Sequence, residues 1–411
     1  MARERKRWSH KEKNHTKSKT ENVKSVEKEL TAEKLLYGGF ALSRTDDLGV
    51  VFVEGLLAGE TGRCVLVGKQ GGIPYFETKE VLVKSEFRRF APCQHYGICG
   101  GCSWLHIEYA EQVRSKELIF EDALHRIGKI QSYPKPELFT SEEFGYRCRA
   151  QLKIDKHTET IGFFKAKSND VEPISHCPLL TPKLNAILAD TDAILDAAIN
   201  SKRGLMLIDT GNELVSDPVM AGITKQNGKI NVGDYTFRIE GDSFFQSNHF
   251  LTETMANWCG DVIHGNRLLD LFGGVGLFSL FHGKRFKETV LVELSEEMAD
   301  KAQEGFLANG FITGTALGMS SESFFESAKA REFDVVIVDP PRTGLSKEVR
   351  DGVMNLQPEK ILYISCNPTT MARDLGVWVN QNGYTIERTA LFDLYPNTWH
   401  MEAGVLLVKE E

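Results

Sequence analysis

The residues best placed to do chemistry begin at Ser365-Cys366-Asn367-Pro368. The apolar run before them, Lys360-Ile361-Leu362-Tyr363-Ile364, reads as a buried strand, so the cysteine falls where a strand ends. Asn367 can cap a helix, and Pro368 suits the first helical position. A helix starting there aims free backbone N–H groups at the Cys366 sulfur, which favours a nucleophilic thiolate. The alternative is a packed apolar cysteine, since free cysteine is often buried. Near the C-terminus, Phe392–Glu402 carries His400 and Glu402, both able to accept a proton. A surface carboxylate is the plain alternative for Glu402.

A second cluster is Cys93-Gln94-His95-Tyr96-Gly97-Ile98-Cys99-Gly100-Gly101-Cys102, with spacing C-x5-C-x2-C. Three cysteines in a glycine-rich loop can turn their thiolates onto one centre. Cys177, in Ser175-His176-Cys177-Pro178, is the best fourth ligand. Tetrahedral zinc and a 4Fe-4S cluster both suit four thiolates, and the spacing does not separate them.

The third stretch is Asp270-Leu271-Phe272-Gly273-Gly274-Val275-Gly276, a strand, a glycine turn and the start of a helix. Glycines there let the backbone approach a ligand closely. The turn is not G-x-G-x-x-G, which disfavours a dinucleotide. Its D-x-F-x-G-x-G form is an S-adenosylmethionine pattern. Glu293 ends the next strand, twenty residues past Gly273, where a carboxylate can hold ribose hydroxyls. Phe333–Val338 is a further buried strand, ending in Asp339-Pro340-Pro341-Arg342. Gly274, Glu293, Asp339 and Cys366 are therefore expected on one edge of one parallel sheet, where such folds bind ligands.

The elements around these stretches follow from periodicity. Short strands and turns over 30–88 fit a small OB-type β-barrel, a common single-strand binding module. Residues 109–127 read as an amphipathic helix with Val113, Phe120, Ala123, Leu124 and Ile127 on its apolar side. Residues 146–154 alternate as a strand with basic polar positions, a face suited to phosphate or simply to solvent. Residues 180–199 read as helical, and 204–215 and 229–239 as strands. Ser243-Phe244-Phe245-Gln246 has no periodicity and reads as a loop.

The chain has 411 residues and a formal charge of −8, with 41% hydrophobic and 26% charged residues. This is the composition of a packed protein of two or three domains. Residues 1–28 hold ten Lys/Arg against four Glu, a charge of +6, so the remainder carries −14. A basic arm on an acidic body can still grip RNA locally, or be a solubilising tail. No apolar stretch approaches a membrane span, and the N-terminus has no apolar signal core. A cytoplasmic location is expected.

Together these motifs resemble the RNA uracil-5-methyltransferase family, close to its RumA-like 23S ribosomal RNA members. The resemblance rests on Ser365-Cys366-Asn367-Pro368, continued by Ala372-Arg373-Asp374, on Asp339-Pro340-Pro341-Arg342 and on Ser243-Phe244-Phe245-Gln246. It covers nearly everything after Leu30. It implies an α/β fold: a Rossmann-like S-adenosylmethionine-dependent methyltransferase domain, an N-terminal OB-like TRAM barrel and a small central α+β iron–sulfur domain. The expected limits are a basic disordered tail over 1–28, the barrel over 29–88, the central domain over 89–106 and 129–240, and the methyltransferase domain over 107–128 and 241–411. By the same resemblance Cys366 is the nucleophile and Glu402 the general base. Gln246, Phe272, Glu293 and Asp339 contact S-adenosylmethionine, and Cys93, Cys99, Cys102 and Cys177 hold a 4Fe-4S cluster.

The implied activity is methylation of C5 of a uridine in 23S ribosomal RNA, through a covalent bond from Cys366 to C6. The alternatives are a transfer-RNA T-loop uridine, or a non-catalytic iron–sulfur RNA-binding factor. RNA is the implied partner, with no membrane and no protein partner, and a monomer is expected. The chain departs from the family pattern at Gly273, where cysteine is common, at Leu277, where ribosomal members can carry a polar residue, and at Asn397, where histidine is usual.

Overall fold

The computed structural model describes residues 26–241, 244–329 and 332–410. Most of the expected basic tail (residues 1–25) and Ser243 lie outside the described residues. The chain divides into two compact units. One holds the residues up to Glu33 with Ala41–Lys84, and the other holds Lys34–Phe40 with the chain from Ser85 onward.

The first unit is strand-rich and barrel-like. Its strands run in the order Glu27–Thr31, Thr61–Gln70, Ile73–Val83, Gly49–Glu54, Ala41–Thr45. All neighbours are antiparallel except Gly49–Glu54 beside Ile73–Val83. Alternate residues point inward, so Val51, Val53, Cys64 and Phe76 are wholly buried.

The second unit contains two sheets and a hairpin. A five-stranded antiparallel sheet runs Val171–Pro173, Thr160–Phe164, Arg149–Asp155, Leu205–Asp209, Leu214–Asp217. Its apolar face packs on two helices, Pro182–Leu188 and Thr191–Ala198, around Leu152, Leu184, Ile194 and Leu207. Sequence periodicity predicts one helix here. The break comes at Asp190, whose carboxylate accepts from the Ala193 amide and starts a second helix. Likewise Leu205–Asp209 with Leu214–Asp217, and Asn227–Val232 with Tyr235–Glu240, form two hairpins where single strands are expected.

The large sheet has eight strands: Gly314–Gly318, Glu288–Glu293, Arg267–Leu271, Val335–Val338, Lys360–Ser365, Glu402–Lys409, Tyr384–Phe392, Glu137–Phe139. The first five are parallel. Val335–Val338 is buried on both faces, as a helix-covered parallel strand must be. The core runs from Leu268, Ile337 and Leu362 to Phe278, Phe306 and Trp258.

The helix Tyr109–Arg126 buries Phe120, Ala123 and Leu124 as the sequence predicts, but Ile127 is largely exposed. Gln112, Ser115 and Lys116 are buried in its place, Gln112 against Asn397 and Lys116 against Asp393. No helix among the described residues is long and apolar enough to cross a membrane.

Candidate active site

Strand order reverses between Arg267–Leu271 and Val335–Val338, and ligands of such sheets bind at the carboxyl ends beside that reversal. A cavity of about 450 Å³ lies there. Gln246, Phe272, Glu293, Asp339, Cys366 and Glu402, scattered over 157 positions of sequence, all line it.

The glycine turn shapes one wall. Phe272, Gly274 and Gly276 all have left-handed backbones, with φ of +61°, +53° and +85°. The Gly274 amide donates to one Glu293 carboxylate oxygen at 3.1 Å, and the Ser295 amide to the other at 2.9 Å. Glu293 is thus fixed at the cavity by main-chain donors. A Cβ on Gly273 would lie 2.4 Å from Leu291 Cγ, so Leu291 requires glycine here. Opposite, the Gln246 side-chain oxygen is buried with no hydrogen-bond partner among the described residues, a place for a ligand donor.

The remaining groups meet through strand register. Ser365 pairs with Ala403 across antiparallel strands, which brings the neighbouring Cys366 and Glu402 to one end of that pair, where both line the cavity. Asn367 caps the helix Pro368–Gln381 as expected, its side-chain oxygen accepting from the Thr369 amide at 3.0 Å and the Thr369 hydroxyl at 2.6 Å. That bond takes an amide that sequence reasoning aims at the sulfur. Burial, and next the Glu402 carboxylate, push the Cys366 thiol up to about 11. Arg342, hydrogen-bonded to the thiol, pulls the other way. The shift runs opposite to the one a helix end would give.

Burial and then Asp339 hold Glu402 well above the usual carboxylate range, with Arg342 opposing. Asp339 is itself pushed up to about 7 by burial and by Asp270. A buried carboxyl with a raised pKa is a strong base once ionised. His400 is pushed down to about 3 by burial and Arg342, so its imidazole is neutral. It packs against Trp399 with ring centroids 3.8 Å apart and the rings tilted by 38°.

Two residues here escaped sequence reasoning. Arg342 was visible only as the end of Asp339-Pro340-Pro341-Arg342, with nothing to mark it as the cation beside Cys366. Tyr37, whose hydroxyl donates to the Cys366 carbonyl at 3.0 Å, lies 329 positions away beside an ordinary-looking glycine pair. Gly39 in that pair is required, since a Cβ would lie 2.6 Å from Trp399 Cδ1.

The cysteine loop lies on the smaller sheet. The Gly100 amide donates to Phe164 O at 3.0 Å, and the Ala166 amide to Ile98 O at 2.8 Å. Asn185 clamps Cys177, accepting from its amide at 2.8 Å and donating to its carbonyl at 3.0 Å. All four thiols are free. Burial, then the charges of Cys177, Cys99 and Cys93, push the Cys102 thiol far up. Cys99 is raised by burial and by Cys177 and Cys93. Four soft donors that feel one another fit a thiolate-bound centre, whose cations would relieve their repulsion. As placed, no three His, Cys, Asp or Glu side chains among the described residues stand in metal-ligand geometry.

The strand Arg149–Asp155 turns Arg149, Gln151 and Lys153 outward. Arg149 lies 5.8 Å from the ring of Phe244, an exposed aromatic on the cavity wall, and Lys153 lies 5.1 Å from that of Phe164. Cation and base-stacking surface alternate here, an arrangement that suits nucleic acid.

Known proteins resemble this chain in fold and sequence. A chain from Pyrococcus abyssi, a tRNA (uracil-54, C5)-methyltransferase solved with S-adenosyl-L-homocysteine, superposes with a TM-score of 0.71 at 21% identity, covering 93% of this chain and all of that one. The methyltransferase fold is thereby shown. The 23S rRNA (uracil(1939)-C(5))-methyltransferase RlmD of Aeromonas salmonicida is 29% identical over 87% of this chain and 91% of its own. An uncharacterized RNA methyltransferase of Aquifex aeolicus is 31% identical over 92% of this chain and 97% of its own. The family model described as tRNA (Uracil-5-)-methyltransferase matches residues 221–410, a span holding the glycine turn, Cys366 and Glu402. With a relative matched along nearly its whole length and a family model covering every cavity residue named above, this chain belongs to the RNA uracil-5-methyltransferase family and is an enzyme of that class.

Proposed function

We propose that this enzyme methylates C5 of a uridine in 23S ribosomal RNA, with S-adenosylmethionine as donor and Cys366 as covalent nucleophile. The observation that carries the reading is that Cys366 and Glu402, just past and at the ends of two paired antiparallel strands, line one cavity with the glycine turn. Glu293 and the unpartnered Gln246 oxygen suit the two polar ends of an adenosyl amino acid. The ribosomal substrate is favoured because relatives matched over most of the chain carry that name.

C5 of uracil is a weak nucleophile. The Cys366 thiol loses its proton to solvent and the thiolate adds to C6, so that the electron pair of the C5–C6 bond becomes available at C5. The donor supplies a methyl group on a sulfonium, which C5 takes as the S–CH3 bond breaks. Glu402 then removes the C5 proton, the C6–S bond breaks, and Cys366 leaves as thiolate. Arg342, beside both groups, stabilises the negative charge as it moves between them. The target base leaves its stack to enter the cavity, where the exposed Phe244 ring offers a replacement surface. Cys93, Cys99, Cys102 and Cys177 hold a 4Fe-4S cluster in this reading. Methyl transfer needs no electron, so we assign the cluster a structural role.

The test has two parts. Cys366→Ala should abolish methylation and the covalent adduct with 5-fluorouridine RNA while cofactor binding persists; full activity would end the covalent reading. Mapping 5-methyluridine in total RNA from a deletion strain should show loss at a 23S position. Loss at a transfer-RNA position instead would reassign the substrate.

A further inference from the structure

We propose that Asn397 is a positioning residue through which the cysteine loop sets the catalytic loop. This rests on the reading of Cys366 and Glu402 as nucleophile and base, and of Cys93, Cys99, Cys102 and Cys177 as ligands of an iron–sulfur cluster.

Asn397 is fully buried, with a left-handed φ of +67° that asparagine tolerates better than most residues. Every polar group it has is used. Its carbonyl accepts from the amides of Ser103 at 3.2 Å and Trp104 at 3.0 Å, the two residues directly after Cys102. Its amide donates to the Gln112 side-chain oxygen at 2.7 Å. Its own side-chain oxygen accepts from Arg89 at 2.8 Å and from Gln112 at 3.2 Å, and its side-chain nitrogen donates to Glu143 O at 3.0 Å. Two residues on, the Trp399 amide donates to the Ser103 hydroxyl at 3.1 Å. Three hydrogen bonds thus lace 397–399 to the end of the cysteine loop.

From Trp399 the path continues to both reacting groups. Trp399 packs against His400 with tilted rings, and Glu402 follows two residues later. The Trp399 ring also meets Tyr37 edge-on at 4.8 Å, and Tyr37 holds the Cys366 carbonyl. A shift of Cys102 is therefore passed to base and nucleophile by hydrogen bonds and packed rings. Small displacements at such groups are expensive in rate. This gives the cysteine loop a part in the reaction without electron transfer.

The experiment compares the wild-type holoenzyme with Asn397→Gly and Ser103→Ala. Glycine keeps the left-handed backbone and main-chain bonds and removes only the side-chain bonds. Ser103→Ala removes one hydroxyl. Each variant should lower kcat about tenfold at unchanged KM and unchanged S-adenosylmethionine affinity, with the 5-fluorouridine adduct still forming. The second readout needs no turnover. Stripping iron from wild type should change the alkylation rate of Cys366, followed by peptide mass spectrometry, by about threefold or more, and this response should shrink in Ser103→Ala, which loses one of the three bonds that carry it. Wild-type kcat in both variants, or a Cys366 rate indifferent to stripping in wild type, would overturn the proposal. If Asn397→Gly fails to bind cofactor, Ser103→Ala decides alone. Absence of the adduct in wild type would instead strike at the nucleophile reading.

Discussion

The Tyr37 hydroxyl donates a 3.0 Å hydrogen bond to the main-chain carbonyl of Cys366. It fixes the point where the strand Lys360–Ser365 gives way to the helix Pro368–Gln381. The turn carrying Tyr37 is closed by the Leu36 amide donating to Phe40 O at 2.7 Å. Burial, and then the nearby Cys366 charge, push the phenol up to about 12, so it stays a donor at neutral pH.

Tyr37→Phe removes that donor and keeps the ring against Trp399. A neutral hydrogen bond contributes about 1 kcal/mol net, so the urea midpoint should fall slightly and kcat by roughly fivefold. Cofactor affinity, measured by calorimetry, should not move. An unchanged kcat would mean that the strand end holds Cys366 without this bond.

Lys116 and Asp393 form a buried pair, 2.6 Å apart with side chains only 3% and 4% exposed. The ammonium also donates to Tyr395 O at 3.1 Å, tying the helix Tyr109–Arg126 to the loop before Glu402. Burial drives the Lys116 pKa down and Asp393 pulls it back. Lys116→Met strands a buried carboxylate and should destabilise by about 3–5 kcal/mol in equilibrium urea unfolding. The double variant Lys116→Met/Asp393→Leu should recover part of that loss. A double variant no more stable than Lys116→Met would show that the pair is worth more than its desolvation.

These two contacts mark what the sequence could and could not tell. The parallel strands, the glycine turn and the Asn367 cap were legible because each is local: apolar runs, turn residues and one capping side chain. The convergence of Glu293, Asp339 and Cys366 was legible because strand ends of one parallel sheet share an edge. Glu402 needed the antiparallel register beside Lys360–Ser365, which no local pattern encodes. Gln112 and Lys116 broke the expected apolar helix stripe because their partners, Asn397 and Asp393, lie more than 270 positions away. The upward shift of the Cys366 thiol was not legible for the same reason. Burial and Glu402, both tertiary, outweigh the helix end.

Gly273 offers a test of packing around the cofactor turn. A Cβ there would meet Leu291 at 2.4–3.2 Å from three of its carbons. Gly273→Ala should therefore destabilise by about 1–3 kcal/mol and weaken S-adenosylmethionine binding as the turn shifts. Leu291→Ala opens the space, so Gly273→Ala/Leu291→Ala should bind cofactor better than Gly273→Ala alone. Equal affinity in the two would locate the constraint elsewhere in the turn.

The charge state of Cys366 gives a pH prediction whose sign follows from its surroundings. Burial and Glu402 raise the thiol to about 11, so the protonated form is favoured at every lower pH. Iodoacetamide alkylation of Cys366 in the cofactor-free enzyme should climb roughly tenfold per pH unit towards that value, since only the thiolate reacts. Glu402→Gln removes the second-largest cause of the shift and should move the profile to lower pH. S-adenosylmethionine carries a sulfonium that S-adenosylhomocysteine lacks. Bound in the same cavity, the cation should lower the apparent pKa by about one unit, or about 1.4 kcal/mol of charge interaction, while the neutral product leaves it in place. The donor would then raise the thiolate fraction of Cys366 about tenfold below that pKa. Equal profiles with the two cofactors, or an inflection near 9 in the free enzyme, would show that Arg342 and the helix end activate Cys366 without help from the donor.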